Sequence, residues 1–247
     1  MSPPAPVKTL QILHLDTEVV GVDKPAGLLS VPGRGPDICA IDLLRQCPDL
    51  RDNDALRVVH RLDQDASGVL VYARTLAAQR SLVSQFAERR IEKEYYAIVA
   101  GVVAGDGEID LRLMFDRRHN CVRTTMLPSG KPALTRYRVL QRLAGHTLLE
   151  CHPVTGRMHQ IRVHLAAIGH PLAVDPLYGG GRAILLSHYK PDYRPSARHP
   201  ERPLIDRLTL HAAGITFEHP ATGARLTLEA PPPKDFRATI TQLGRWV

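Results

Sequence analysis

An α+β fold, built on a mixed and largely antiparallel sheet with helices packed against it, is what this sequence predicts. Three observations carry that reading. Short β-branched and apolar runs bounded by Gly, Pro, Asp and Ser recur along most of the chain. Two stretches with apolar residues recurring at three and four stand out as helices. These helices do not alternate regularly with the strands, as a parallel βαβ sheet would require.

After a Pro-rich lead, Gln11-Ile12-Leu13-His14-Leu15 and Val19-Val20-Gly21-Val22 read as strands, and Asp23-Lys24-Pro25-Ala26-Gly27 turns into Leu28-Leu29-Ser30-Val31. Arg57-Val58-Val59 and Val69-Leu70-Val71-Tyr72-Ala73 are β-branched and apolar, with Ala66-Ser67-Gly68 as the turn between them. Thr75 caps a helix through Leu76, Leu82, Val83, Phe86 and Ala87, before Glu94–Ala100 returns as a strand. Further strands are expected at Ala133–Gln141 and Thr147–Cys151. The run from Met158 to Ile168 is helical, with Thr155 or Gly156 near its start and Gly169 just past its end. Leu208–Phe217 and Arg225–Glu229 form a closing β pair, and Tyr189–Pro203 is a loop or insertion because strand sequence resumes directly after it.

At 247 residues the chain has the length of one larger domain, expected to span 1–247. No run approaches the roughly 18 apolar residues of a membrane span. The start, Met1-Ser2-Pro3-Pro4-Ala5-Pro6, lacks a basic segment followed by an apolar one, so a cytoplasmic protein without a membrane partner is expected. Cys39, Cys47, Cys121 and Cys151 show neither C-x-x-C spacing nor His pairs at ligand intervals, which reads as reduced thiols and no metal. A monomer is expected, since no helix looks built for association. The net charge of +7 is concentrated: between Arg112 and Arg142, seven Arg and one Lys face Asp116 alone, so this segment carries the entire excess. A basic patch beside a neutral body is the electrostatic footprint of a polyanion binder, although Arg-rich surfaces also arise as plain solvated faces.

Chemistry concentrates in two places. The stretch His60-Arg61-Leu62-Asp63-Gln64-Asp65-Ala66-Ser67-Gly68 puts a carboxylate beside a cation on a loop held by rigid neighbours, where functional groups are favoured. An Asp or Ser there also serves as ordinary turn chemistry. On the expected helix, Arg162 lies beside Ile161, Leu165 and Ala166 on the face that should turn inward, and an inward Arg needs a carboxylate. Asp63 is a natural candidate for that partner, and an Arg snorkelling to the helix edge is the alternative. Gly156-Arg157, His159 and His164 add donors near a helix start, which suits phosphate without being specific for it. Other chemistries lack their residues: there is no H-E-x-x-H, G-x-S-x-G, Walker A or G-x-G-x-x-G motif, and Gly33-Arg34-Gly35 and Gly179-Gly180-Gly181 lack the remaining positions of a phosphate loop. Asp63 and Asp65 are too close in sequence to form a glycosidase pair.

His60-Arg61-Leu62-Asp63 followed by Ser67-Gly68, then Lys93-x-Tyr95-x-Ala97-x-Val99-x-Gly101, then Thr155-Gly156-Arg157-x-His159-Gln160-Ile161-Arg162-Val163-His164, then Gly169-His170-Pro171 and Asp175-x-x-Tyr178-Gly179, resemble the ordered motifs of the RluA-type RNA pseudouridine synthases. Leu210-His211-Ala212, Phe217-Glu218-His219-Pro220 and the opening Lys24-Pro25-x-Gly27 extend the resemblance over nearly the whole chain. Leu28–Arg34 and Ser129–Thr135 look like the branch that modifies both ribosomal and transfer RNA. The chain departs from the pattern at Ala66, Met158 and Val174, where Thr, a small hydroxyl residue and Gly are usual, and in the Tyr189–Arg202 insertion.

The resemblance implies the pseudouridine synthase fold, without the RNA-binding S4 domain that often precedes it, and isomerisation of uridine to pseudouridine in 23S ribosomal RNA and/or transfer RNA. It implies no cofactor and no metal. It assigns Asp63 as the catalytic carboxylate, Arg162 as its ion-pair partner and Tyr95 as the aromatic on the uracil, with His60, Arg61, Arg157, His159, Gln160 and His164 expected to meet substrate. Arg61 either fills the gap left by a flipped uridine or clamps a phosphate. Two other classes stay open from the residues alone: an RNA-binding protein without activity, and a nucleoside-cleaving glycosidase that would release uracil.

Overall fold

The computed structural model describes residues 9–33, 35, 37–50, 56–194 and 199–247. The Pro-rich lead before residue 9, Arg34, and residues 195–198 of the expected insertion lie outside the described residues. In chain order the regular elements are β1 (Gln11–Leu15), β2 (Val19–Lys24), α1 (Ala40–Arg45), β3 (Arg57–Val58), β4 (Ser67–Ala73), α2 (Leu76–Ala87), β5 (Glu92–Ala100), β6 (Gly107–Asp110), β7 (Arg112–Asp116), β8 (Cys121–Thr125), β9 (Leu134–Leu143), β10 (His146–Pro153), α3 (Gln160–Ala167), β11 (Leu210–Glu218), β12 (Arg225–Glu229) and α4 (Lys234–Leu243). They fall into two compact units, one made of the chain up to Glu94 with His211–Pro231, the other of Tyr95–Leu210 with Pro232–Val247.

In the first unit β4 is the central strand. All seven of its residues are buried, as expected of an apolar run covered on both faces. It pairs antiparallel with β2 and β3 and parallel with β11, against which β12 runs antiparallel. β1 and β2 form a hairpin closed by Asp16, whose Oδ1 accepts the N–H groups of Glu18 at 2.7 Å and Val19 at 2.8 Å. α2 begins where Thr75 Oγ1 accepts the Ala78 N–H at 3.0 Å. Ala78 and Leu82 then pack on Val69, Val71, Ile215 and Phe217. Each fully buried side chain of this size contributes roughly 1.5–3 kcal/mol.

In the second unit β5, β10, β9 and β6 form antiparallel ladders in that order, and β7 and β8 form a separate hairpin. α4 lays Phe236, Thr239 and Leu243 inward, a helical spacing, against Ile98, Leu143 and Leu148. α3 ends in a Schellman motif: the Gly169 and His170 N–H groups reach the carbonyls of Ala166 and Leu165 at 3.0 and 2.9 Å, and Gly169 has φ +86°.

The mixed, largely antiparallel fold is borne out, with several differences in detail. The turn before β4 lies at Gln64-Asp65 rather than Ala66–Gly68, because Ser67 and Gly68 already pair with His211 and Ala212. Leu28–Val31 forms only an isolated bridge, Leu29 to Cys39. The helix read over 158–168 begins at Gln160, since His159 has φ +52° and cannot continue it. α1, α4 and the β6–β8 strands were not expected, and the chain closes on α4 rather than on the β pair. Of the three departures from the family pattern, Ala66 and Val174 are buried and Met158 is 41% exposed.

Candidate functional site

The loop that carries Asp63 is fixed along its backbone. Ser30 Oγ donates to the Leu62 carbonyl at 2.9 Å and accepts the Leu62 N–H at 3.0 Å, holding the residue just before Asp63 through both of its main-chain polar groups. Just after Asp63, the Gln64 carbonyl accepts from the Lys24 ammonium at 2.8 Å and from the Gly27 N–H at 3.0 Å. Lys24 is fully buried and also donates to the carbonyls of Pro25 and Leu28, at 2.9 and 2.8 Å, so carbonyl dipoles meet a charge that burial alone would make costly. The Asp63 carbonyl closes the turn by accepting the Ala66 N–H at 3.2 Å. Its side chain is half-buried on this rigid loop, and Arg61 beside it is exposed.

Ser67 and Gly68 explain themselves at the start of β4. Ser67 Oγ meets His211 Nδ1 at 3.0 Å, and His211 Nε2 donates to the Ala230 carbonyl at 2.9 Å, both side chains being buried. Gly68 has φ +114°, and a Cβ there would lie 2.1 Å from the Ala212 carbonyl oxygen. His60, expected to meet substrate, turns its Nε2 to accept the Val71 N–H at 3.0 Å and stacks at a tilt on Phe86, 5.1 Å between centroids. Burial, with the Lys93 charge adding to it, pushes its pKa down to about 3, so the ring is neutral with its proton on Nδ1.

In the second unit Arg162 is buried on α3 and held by Asp175, which is wholly inaccessible. Nε donates to Oδ2 at 2.7 Å and Nη2 to Oδ1 at 2.9 Å, a bidentate pair. Asp175 Oδ1 also accepts the N–H groups of Leu177 at 3.0 Å and Tyr178 at 3.3 Å, and the Tyr178 ring lies 5.0 Å from the guanidinium carbon. Tyr95 is half-buried on β5, opposite Cys151 of β10.

Other expected substrate contacts are committed to the scaffold of this unit. Gln160 Oε1 accepts from Thr155 Oγ1 at 2.7 Å and the Arg157 N–H at 3.0 Å, while its amide donates to the Leu134 carbonyl and Thr135 Oγ1, both at 2.9 Å. That fills all four of its hydrogen-bonding positions. His164 Nε2 donates to the Leu111 carbonyl at 3.2 Å and Nδ1 accepts from Thr135 Oγ1 at 3.0 Å; burial lowers its pKa, consistent with a neutral ring. Arg157 Nε reaches the Pro132 carbonyl at 3.2 Å. His159 Nδ1 lies 2.9 Å from the Tyr178 hydroxyl. Sequence reasoning missed Lys24 and Ser30 as holders of the loop and Asp175 as a partner of Arg162. The signal for Asp175 was present: a carboxylate directly after Leu172-Ala173-Val174 is headed for the interior and needs a cation.

The basic segment begins with the β7–β8 hairpin. Leu113 and Val122 pack inward with Ala133 and Val163, and Met114 and Phe115 are exposed. Asp116 takes the His119 ring at 2.8 Å and Arg123 Nε at 3.0 Å. Arg136 and Arg138 pair with Glu108 and Glu150, each at 2.8 Å. Arg117 and Arg118 at the tip are exposed, and among the described residues their guanidinium groups pair with no carboxylate, although the Arg118 N–H donates to Asp116 Oδ1 at 2.9 Å. No helix among the described residues is long and apolar enough to cross a membrane, and no group of three or more His, Cys, Asp or Glu among them is placed to hold a metal ion.

The mixed sheet with flanking helices is that of the pseudouridine synthase fold. It superposes on human RNA pseudouridylate synthase domain containing 4 with a TM-score of 0.71 at 24% identity, covering 94% of this chain and 92% of that one. For human RNA pseudouridylate synthase domain containing 1 the TM-score is 0.70 at 25% identity, covering 93% and 86%. The chain belongs to the RNA pseudouridylate synthase family, whose pattern its residues 18–167 match. Ribosomal large subunit pseudouridine synthase D of Neisseria meningitidis serogroup B is 39% identical over 95% of this chain and 61% of its own length. The protein of that name from Nitrosomonas europaea is 40% identical over 94% and 64%. These relatives support the RluA-type resemblance, and the chain spans about three-fifths of their length.

Proposed function

We propose that this protein isomerises uridine to pseudouridine in large-subunit ribosomal RNA. The bond from uracil N1 to the ribose breaks, the base turns, and C5 takes its place with loss of the C5 proton, so no atom is gained or lost apart from exchange with water. Asp63 carries the reaction, as nucleophile or base, and Tyr95 and Arg162 serve it, the aromatic ring packing on the uracil and the guanidinium keeping a carboxylate ionised. Arg61, exposed beside Asp63, faces the RNA. No cofactor or metal takes part. The observation that carries the reading is the Asp63 loop: a half-buried carboxylate stands on a backbone whose neighbours on both sides are fixed by Ser30 and Lys24, which preorganises its position. The ribosomal target is supported by the relatives' names, and the exposed arginines at the hairpin tip supply phosphate contacts.

Tritium release from [5-³H]uridine-labelled RNA tests the proposal, with ribosomal and transfer RNA transcripts as separate substrates. Wild-type protein should release tritium from ribosomal RNA, and Asp63→Asn should release none while binding RNA and melting as the wild type does. Turnover retained in Asp63→Asn would refute the role of Asp63. Free uracil among the products would instead point to a glycosidase, and binding without release by the wild type to an inactive RNA-binding protein.

A further inference from the structure

We propose that Tyr178 is a positioning residue that couples the β7–β8 hairpin to the cradle of Arg162; the proposal rests on the synthase reading above. Tyr178 makes contacts in three directions. Its hydroxyl accepts the Val122 N–H of β8 at 3.0 Å and lies 2.9 Å from His159 Nδ1, at the start of α3. One oxygen serves both because a phenol has lone pairs for the amide and a proton for the imidazole. Its ring lies under the Arg162 guanidinium and stands edge-on to His159, 5.7 Å away at 81°. Its own N–H is held by Asp175 Oδ1, the oxygen that also accepts from Arg162 Nη2.

The hairpin has a specific need for this hydroxyl. Val122 faces Phe115 in the β7–β8 register, and β7 turns the N–H and C=O of Leu113 away from β8 to Lys131, at 2.9 and 2.8 Å. The pairs exchanging bonds across the hairpin therefore alternate past Leu113 and past Phe115, and the Val122 N–H points off the free edge of β8. An edge amide on a two-stranded ribbon is a weak place, and Tyr178 closes it. The Leu113, Val122, Ala133 and Val163 cluster, with Tyr178 packed against it, completes the joint between hairpin and α3. Burial raises the pKa of the phenol, which keeps the donor proton in place. The arginines at the hairpin tip and the arginine on α3 are thus linked through one side chain, so RNA that engages the tip acts on a hairpin that is tied to the Arg162 site one residue pair from that tip.

The test separates the hydroxyl from the ring. Tyr178→Phe keeps the ring under Arg162 and loses the hydroxyl that ties Val122 and His159, so the KM for a large-subunit ribosomal RNA transcript should rise about tenfold with kcat within about twofold, the loss of one buried hydrogen-bonding group. Tyr178→Leu also removes the ring and should lower kcat. Combining Tyr178→Phe with Arg117→Ala and Arg118→Ala should raise KM by less than the product of the separate effects, since a loosened hairpin no longer delivers its tip. Amide hydrogen exchange without RNA reports the tie independently of activity: residues 112–125 should exchange about tenfold faster in Tyr178→Phe. Unchanged exchange across the hairpin, or effects on KM that multiply, would overturn the coupling. A wild type that turns over no RNA would sink the synthase reading, and exchange together with the Kd for the transcript, in place of KM, would then decide the coupling.

Discussion

Gly68→Ala should be among the most damaging conservative substitutions in the protein, and Gly169→Ala is its internal control. Both glycines have positive φ, +114° and +86°. Gly169, past the end of α3, has nothing within 4 Å of an added Cβ. Its substitution carries only the left-handed backbone cost, about 1–2 kcal/mol. At Gly68 the added Cβ would lie 2.1 Å from the Ala212 carbonyl oxygen and 2.7 Å from its carbon and nitrogen. All three are backbone atoms of β11, which cannot rotate away, and contact needs a separation of roughly 3.5 Å. The ladder between β4 and β11 must open by more than an ångström. Backbone strain of about 1–3 kcal/mol and overpacking of about 1–3 kcal/mol then add, for a total near 4 kcal/mol. With a urea dependence of about 3 kcal/mol per molar, the unfolding midpoint should fall by about 1.3 M for Gly68→Ala and about 0.5 M for Gly169→Ala. Because Gly68 is the second residue of β4, just after the Asp63 loop, tritium release should fall in the first variant and persist in the second. Equal midpoints for the two variants would refute the steric argument, and full turnover in Gly68→Ala would refute the dependence of the site on the start of β4.

The pH dependence of stability should carry a signature of His60. Its folded pKa of about 3 lies below the ordinary 6.5, so between these values the unfolded chain takes up a proton that the folded chain refuses. Stability from this group is therefore complete above pH 6.5 and is lost as pH falls, by about 2 kcal/mol at pH 5. His60→Gln, which can still accept the Val71 N–H, should flatten that acid slope in urea titrations; an unchanged slope would refute the assignment. Asp16, held at about 2 with His14, His219 and two backbone N–H groups bonded to it, loses its contribution only below its ordinary 3.8 and does not confuse the window. Replacing Arg117 and Arg118 together by Ser should weaken RNA binding and lower the slope of log affinity against log salt by about 1.5, if each neutralises one phosphate. Filter binding across a salt series measures it, and an unaltered slope would place the RNA elsewhere.

The sequence was most legible where one residue type answers one local demand. Thr75 begins α2, Gly169 ends α3, and the apolar run Val69–Ala73 became a central strand, because capping, left-handed backbone and two-sided burial each leave a readable residue. The misses have the opposite cause. β7 and β8 are only five residues each, and their formation depends on Leu113 and Val122 meeting Val163 from a distant helix. α3 was expected to be amphipathic with Arg162 on its inner face, yet Gln160 through Leu165 are all buried. A helix covered on all sides gives no stripe to read, and its Arg needs a partner supplied from beyond it. For that reason Arg162 was legible as a buried cation and Asp175 as a carboxylate bound for the interior, while the pairing of the two, which the fold makes, was not.

Hydrogen-bonding capacity separates motif residues that are already committed to the scaffold from those left exposed. His60, Gln160 and His164 look alike in sequence to Arg61 and Asp63: polar side chains in short, chemistry-rich motifs. Gln160 has no position left, both ring nitrogens of His164 are engaged, and the one basic lone pair of His60 is given to Val71. Burial drives both histidines toward the neutral form, in which they cannot act as phosphate-binding cations. A phosphate needs charge or free N–H groups at the surface, and the exposed Arg61, Arg117 and Arg118 offer such charge. In the proposed synthase the polar residues in the motifs would therefore divide the labour: one set fixes backbone so that a carboxylate and a guanidinium keep their positions, and the exposed set is left to meet the RNA. Substitutions in the first set should change stability and kcat together, whereas those in the second should change KM and its salt dependence.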